Sequence, residues 1–203
     1  KTAHAGMKLN AEDGGNRKFI MVQLPEETDE KSQAFKAGYK NICEIGKERI
    51  RRAGKKIKEE VGLTAQNLDT GFRVLKLDST NMKDVYYNPN DYEATLFASL
   101  ADNIKADRTP EDLLFQVMLD LGVLLSCKIE EQEINGKKVF NVADGYLIAC
   151  FDENVTAEIV KAIAMQKPYY FVIRDSSLAD DSVATNFEQL FATYSPDTIR
   201  KVL

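Results

Sequence analysis

The chain has 203 residues, 44% hydrophobic and 29% charged, with 27 Lys and Arg against 32 Asp and Glu for a formal net charge of -5. That length allows one large domain or two small ones, each able to bury a core; no apolar run is long enough to span a bilayer, and the amino-terminal residues lack a signal-peptide pattern. Cys43, Cys127 and Cys150 are too few and too widely spaced for a disulfide framework or a zinc site; Cys43 and Cys150 sit among apolar residues, as buried free thiols do, and a reducing cytosol fits.

In chain order, Lys1-Thr2-Ala3-His4-Ala5-Gly6-Met7 opens a helix that Gly14-Gly15 breaks, and Phe19 to Leu24, followed by Pro25 and Glu26, reads as a strand. The strand has no period-2 alternation, as expected of a central parallel strand covered on both faces. A helix, a glycine stop and an apolar strand ending in polar residues form half of a nucleotide-binding βαβ unit, so the chain is expected to begin in mid-motif. Glu30 to Ala37 and Ile42 to Glu60 read as helices, the second with an apolar stripe of Ile42, Ile45, Ile50, Ala53 and Ile57. Thr70 to Asp78 is expected to be a further strand of the same sheet.

Between Ser79 and Thr109 the pattern loosens. Tyr86-Tyr87-Asn88-Pro89-Asn90-Asp91-Tyr92 reads as a turn-rich connector, and Leu96, Leu100 and Ile104 align as one helix face. Thr109-Pro110-Glu111-Asp112 starts another helix, with a capping threonine, a proline at the first helical position and two carboxylates at the positive end; Gly122 stops it. Leu124 to Glu131 and Lys137 to Ala143 form a hairpin across Asn135-Gly136. Then come strand Tyr146 to Phe151, helix Thr156 to Met165, strand Tyr169 to Arg174, helix Ser182 to Thr193 and strand Ile199 to Leu203, a βαβαβ unit. The chain therefore divides at about residue 83, with a connector over 84–109 and a small α/β domain over 110–203.

The run from Thr2 to Glu26 resembles the segment just after the glycine-rich S-adenosylmethionine motif of adenine-specific DNA methyltransferases, and is most similar to the modification (Mod) subunits of type III restriction-modification systems. Gly46 to Gly54, Gly71 to Ser79 and Arg174-Asp175-Ser176-Ser177 are similar pieces, so the resemblance covers nearly the whole chain. It implies an α/β fold: an incomplete Rossmann-like methyltransferase half over 1–83, then an assembly domain of hairpin plus βαβαβ that helps the subunit dimerise and dock its restriction (Res) partner. In this permuted β class the Asp-Pro-Pro-Tyr motif comes early and the Phe-x-Gly-x-Gly motif late. Neither occurs here; Asn88-Pro89-Asn90-Asp91-Tyr92 lacks the second proline and reads as a turn. No methyl transfer is expected from these residues by themselves, and no catalytic or metal-ligating residue is assigned.

The resemblance places the group contacting the cofactor ribose at the end of the strand. Many relatives have a carboxylate there and this chain has Gln23, with Leu24 and Pro25 lining the site and Glu26 as a further carboxylate. Without the resemblance, Gln23 reads as a residue ending a strand. His4 stands either near the cofactor's carboxylate end or simply on the surface, and Asp78 either near the cofactor adenine or as a turn cap. Lys40 to Lys58 carries eight cations against Glu44 and Glu48, which suits either DNA phosphates or a solvated helix face. Asp152 and Asp175, with Asp180 and Asp181 behind, are either a Mg²⁺ site of a phosphate-handling fold or ordinary turn and cap residues. Tyr169, Tyr170, Phe171 and Tyr194 supply either interface anchors or core. The implied partners are DNA, the Res subunit and a second copy, in a bacterial or archaeal cytoplasm without a membrane. The competing reading is a stand-alone interaction module with no cofactor.

Overall fold

Helix α1, Thr2–Asp13, ends where Gly14 takes a left-handed conformation (φ 68) and donates its N–H to the Asn10 carbonyl. In this computed structural model, which describes residues 1–62, 68–83, 103–178 and 181–203 apart from the side chains of Asp181 and Ala184, the chain forms two compact units, Lys1–Leu77 and Asp78–Leu203. The Asn88 to Tyr92 turn, Leu96, Leu100 and Asp180 lie outside the described residues.

In the first unit the turn after α1 folds back onto the helix. The Asn10 side chain accepts from the Arg17 N–H and donates to its carbonyl, and Arg17 pairs with Asp13 at 2.6 Å. Helix α2 is a short turn, Gln33–Lys36, capped by Ser32. The Glu27–Asn41 bridge and the Ile42 N–H on the Glu26 carbonyl tie residues 26–27 to the start of α3, Ile42–Val61, where Asn41 caps the Glu44 N–H. Of the expected apolar stripe, Ile50, Ala53 and Ile57 are buried against Ala3 and Met7 of α1, while Ile42 at the helix start is 39% exposed. Gly54 lets the chain approach closely, since a Cβ there would stand 2.9 Å from that of Thr70.

Two expectations fail in this unit. Neither Phe19 to Leu24 nor residues 70–78 enters a ladder; both run without strand or bridge assignment. A strand exists only as a pairing, and apolar content alone does not supply the partner. Phe19 and Phe72 still pack on the α1–α3 core, but Ile20 and Val22 are 92% and 93% exposed and Leu77 fully so. Cys43 is partly exposed rather than buried, its Sγ lying 3.6 Å from the Gln23 and Leu24 carbonyls.

The second unit has a five-stranded sheet in sequence order: β1 Ile129–Ile134, β2 Lys137–Val142, β3 Leu147–Cys150, β4 Tyr170–Ile173 and β5 Ile199–Val202. The first three strands are antiparallel, and the last three are parallel. The hairpin turns at Asn135-Gly136, both at positive φ, as expected; β1 starts only at Ile129, because the chain turns just before it, with the Cys127 N–H on the Leu124 carbonyl. Helix α4, Pro110–Asp120, has the full capping box between Thr109 and Asp112, and Gly122 (φ 68) ends it. Ile104, expected on a helix, instead bridges Met82 and is buried beneath α4's apolar residues.

Alternation along the strands sorts the core into two layers. Phe140, Val142, Leu147, Ala149 and Val172 face α4 and Ile104; Val139, Ile148, Cys150, Phe171 and Ile173 face α5 (Ala157–Ala164) and α6 (Asp181–Tyr194). Phe171, Phe187 and Phe191 meet in this second layer at ring separations of 5.2 to 5.9 Å. The described residues thus form helices and a mixed sheet covered on both faces, an α/β architecture, and no helix among them is long and apolar enough to cross a membrane.

Candidate functional site

Gln23, Leu24, Pro25 and Glu26 form one exposed run, held at its far end by the Glu26 carbonyl on Ile42. The Gln23 amide nitrogen donates to the neighbouring Leu24 carbonyl at 3.2 Å, which leaves the amide oxygen able to accept from one hydroxyl. Leu24, 71% exposed, and Pro25 add an apolar platform. These residues fit one edge of a nucleoside site and no more. His4 is exposed in the first turn of α1. Asp78 lies in the second unit, where it caps the Ser79 N–H at 2.7 Å and faces Arg108 at 3.5 Å. The Ser79 N–H first, and the Arg108 guanidinium second, hold its carboxyl below the usual range. Of these candidates, His4 and the contiguous run from Gln23 to Glu26 belong to the first unit and Asp78 to the second.

An open cleft of about 490 Å³ in the first unit is lined by Arg51, Lys55, Lys58, Glu59 and Thr70, none of which was among the cofactor candidates. The helix that supplies it is less cationic than the count over Lys40 to Lys58 suggests. Glu44 pairs with Lys47, Glu48 with Arg51 and Arg52, Glu59 with Lys55 and Glu60 with Lys56. Solvent screens such pairs, so they hold side chains in place and contribute little to stability. They give the basic segment the character of a solvated face, with Arg51 additionally stacked 5.7 Å over Phe72.

At the carboxyl ends of the parallel strands, Asp152 is already engaged: its Oδ2 accepts the Lys138 N–H at 2.7 Å. Asp175 opens a single 3₁₀ turn, Asp175–Ser177, and among the described residues no three acidic, histidine or cysteine side chains gather as a metal site. Asp180 and the Asp181 side chain lie outside the described residues.

The opposite end of the sheet carries an aromatic cluster that includes two of the four expected aromatic residues. Phe171 is fully buried and Tyr194 is half-buried under Lys161, 5.2 Å over its ring, so both are structural. Tyr169, 51% exposed, instead stacks on Tyr146, 41% exposed, at 5.2 Å with planes 5° apart, and Tyr170 meets both edge-on. Tyr146 joins them from a position far from Tyr169 in sequence. The parallel register brings them together: Leu147 pairs with Tyr170, so the residues one step earlier stand side by side.

No family model matches the chain. Curated relatives do. The chain is 35% identical over 194 residues to the Mod subunit of the type III restriction-modification enzyme EcoP15I of Escherichia coli, a match covering 92% of this chain and 26% of that protein. It is 30% identical over 165 residues to the EcoPI Mod subunit of Escherichia phage P1, covering 80% of this chain and 24% of the relative. A shorter match, 46% identical over 72 residues, covers 36% of this chain and 11% of the StyLTI Mod subunit of Salmonella typhimurium. The chain spans about a quarter of the length of the first two. Over most of its length it is thus homologous to part of the Mod subunits of type III restriction-modification enzymes.

Proposed function

We propose that the chain is the C-terminal portion of a site-specific DNA adenine N6-methyltransferase, the modification subunit of a type III system. Residues 1–83 contribute part of an S-adenosylmethionine-binding domain of Rossmann-like design, 84–109 connect, and 110–203 form an assembly domain. The observation that carries this reading is the exposure of Ile20, Val22 and Leu77 beside a helix pair whose core already holds Phe19 and Phe72. Apolar segments with one end seated on helices and the rest in water are what a parallel sheet leaves when its neighbouring strands are supplied by other parts of the same enzyme.

Transfer to an adenine amine needs the base flipped into a pocket, with donor and acceptor held in line. The residues described for those tasks in the family, Asp-Pro-Pro-Tyr and Phe-x-Gly-x-Gly, do not occur in the 203 residues, so these residues by themselves are not expected to transfer methyl groups. S-adenosylmethionine, when bound, supplies the methyl group. This chain's part is to accept a ribose hydroxyl at the Gln23 amide oxygen, with Leu24 and Pro25 as the adjoining wall; Glu26 and His4 are the further candidate contacts of the same unit. DNA, the Res subunit and a second copy are the proposed partners, in the cytoplasm of a bacterium or archaeon.

The test is methyl transfer from tritiated S-adenosylmethionine to adenine-containing duplex DNA. We expect none with the 203-residue chain and transfer when a Mod-subunit segment carrying both motifs is joined ahead of Lys1. Activity of the chain alone, or an inert fusion that binds DNA, refutes the proposal.

A further inference from the structure

We infer that the exposed cluster of Tyr146, Tyr169 and Tyr170 is a docking surface for a protein partner that presents arginine side chains. The inference rests on the assembly role proposed for residues 110–203 and names the surface and the chemistry of its occupant.

The rings are placed by the backbone rather than by chance packing. Tyr169 donates its N–H to the Gly145 carbonyl at 3.2 Å and Tyr170 to that of Tyr146 at 2.8 Å, while the Tyr169 carbonyl accepts from Ile199 at 2.9 Å. Below them Thr198 Oγ1 bonds the Pro168 carbonyl at 2.6 Å and shares a buried hydroxyl contact with Ser195. Three tyrosines on a fixed sheet end form a rigid aromatic surface that loses little conformational freedom on binding, which is how interface anchors are built. Phe171, the next residue along β4, already meets the demand of the core, so Tyr169 is surplus to folding.

Charge selects the occupant. The sequence from Asp78 to Leu203 carries 21 Asp and Glu against 11 Lys and Arg, whereas Lys1–Leu77 carries 11 against 16. The second unit therefore repels nucleic acid and attracts cationic protein surfaces. Exposed Asp144 lies in the turn before β3 and exposed Asp197 in the turn before β5, one on each side of the rings along the sheet end. Elsewhere in this unit three ring faces carry a cation of the chain itself: Lys138 over buried Phe140, Lys161 over half-buried Tyr194 and Arg200 over buried Phe191. Among the described residues the tyrosine cluster carries none. A planar guanidinium stacks on an aromatic face while its edge bonds a carboxylate, a combination that an ammonium group cannot match.

The chain has no tryptophan, and 3 of its 8 tyrosines are in the cluster, so the part of the tyrosine quenching that is lost in Tyr169→Ala reports the surface. Titration of the 203-residue chain with acetylated hexa-arginine and hexa-lysine peptides at equal ionic strength is expected to show the arginine peptide binding at least about three-fold tighter and quenching emission. Tyr169→Ala is expected to abolish that preference with an unchanged circular dichroism spectrum, and the double change Asp144→Asn, Asp197→Asn to weaken the arginine peptide again. Equal affinity for the two peptides, or an undiminished preference in Tyr169→Ala, overturns the inference. So does self-association of the chain that Tyr169→Ala abolishes, since the occupant is then a second copy. Methyl transfer by the fusion described above does not use Tyr169, so equal affinity for the two peptides in the 203-residue chain alongside an active fusion refutes the docking surface alone.

Discussion

Val22→Ala separates an exposed strand segment from a buried one. Val22 is 93% exposed, so removing its methyl groups uncovers almost no buried surface and leaves no cavity. In the 203-residue chain the change in unfolding free energy should stay within about 0.5 kcal/mol, the range of ordinary surface substitutions. If the segment becomes a covered parallel strand in the longer fusion, the same change removes two buried carbon groups at about 0.8 kcal/mol each plus a cavity contribution, roughly 2 kcal/mol or more. Ile57→Ala serves as the reference, because Ile57 is 2% exposed in the α1–α3 core and its truncation should cost about 2–5 kcal/mol in either protein. Urea denaturation followed by circular dichroism, with hydrogen exchange of the α3 amides to report on the first unit separately, measures both. A loss in the short chain as large as that of Ile57→Ala refutes the reasoning, for Val22 would then be buried without any further strand.

The two glycines of α3 should behave oppositely. Gly46→Ala meets nothing within 4 Å and should stabilise the helix by about 0.5–1 kcal/mol, whereas Gly54→Ala forces a contact at 2.9 Å on Thr70 and should give no gain in melting temperature or a loss. Thr109→Ala removes the capping box of α4 and should lower stability by about 1 kcal/mol at unchanged denaturant slope. The Thr109 backbone N–H and then its hydroxyl hold the Asp112 carboxyl below the usual range, so this contribution is fully present above the unfolded value of about 3.9 and is lost as the pH falls through the native value. Thermal melts between neutral pH and pH 3 should therefore fall less steeply for Thr109→Ala than for the parent. Burial pushes the Cys150 thiol up to about 11, so at pH 8 a disulfide reagent should modify Cys150 only on unfolding, while partly exposed Cys43 and Cys127 react in the native chain.

Local chemistry made most of the second unit legible. The Thr109-Pro110-Glu111-Asp112 start, the Asn135-Gly136 turn and the Gly122 stop each act within a few residues, and the structure has all three where the spacing requires them. Strand ends shifted by one to five residues, as with β1, because pairing rather than propensity decides where a ladder stops. In the cofactor half, the resemblance pointed to Gln23 through Glu26 as one edge, and the chain presents those residues as a continuous exposed run. Asp78 is a different case, since its nearest partners are Ser79 and Arg108 of the second unit, a pairing across distance in the chain that no motif announces.

What the residues by themselves determined are the helices, their caps and turns, and the order of the βαβαβ run, since these depend on forces acting within about one turn of helix. Only the tertiary structure decided which apolar runs became strands and which aromatic residues stayed in water. Phe19 to Leu24 has the composition of a core strand but stands without a ladder, while Tyr146 and Tyr169 meet because β3 and β4 are parallel in one particular register. Both outcomes depend on contacts between distant parts of the chain, and local sequence carries no record of them.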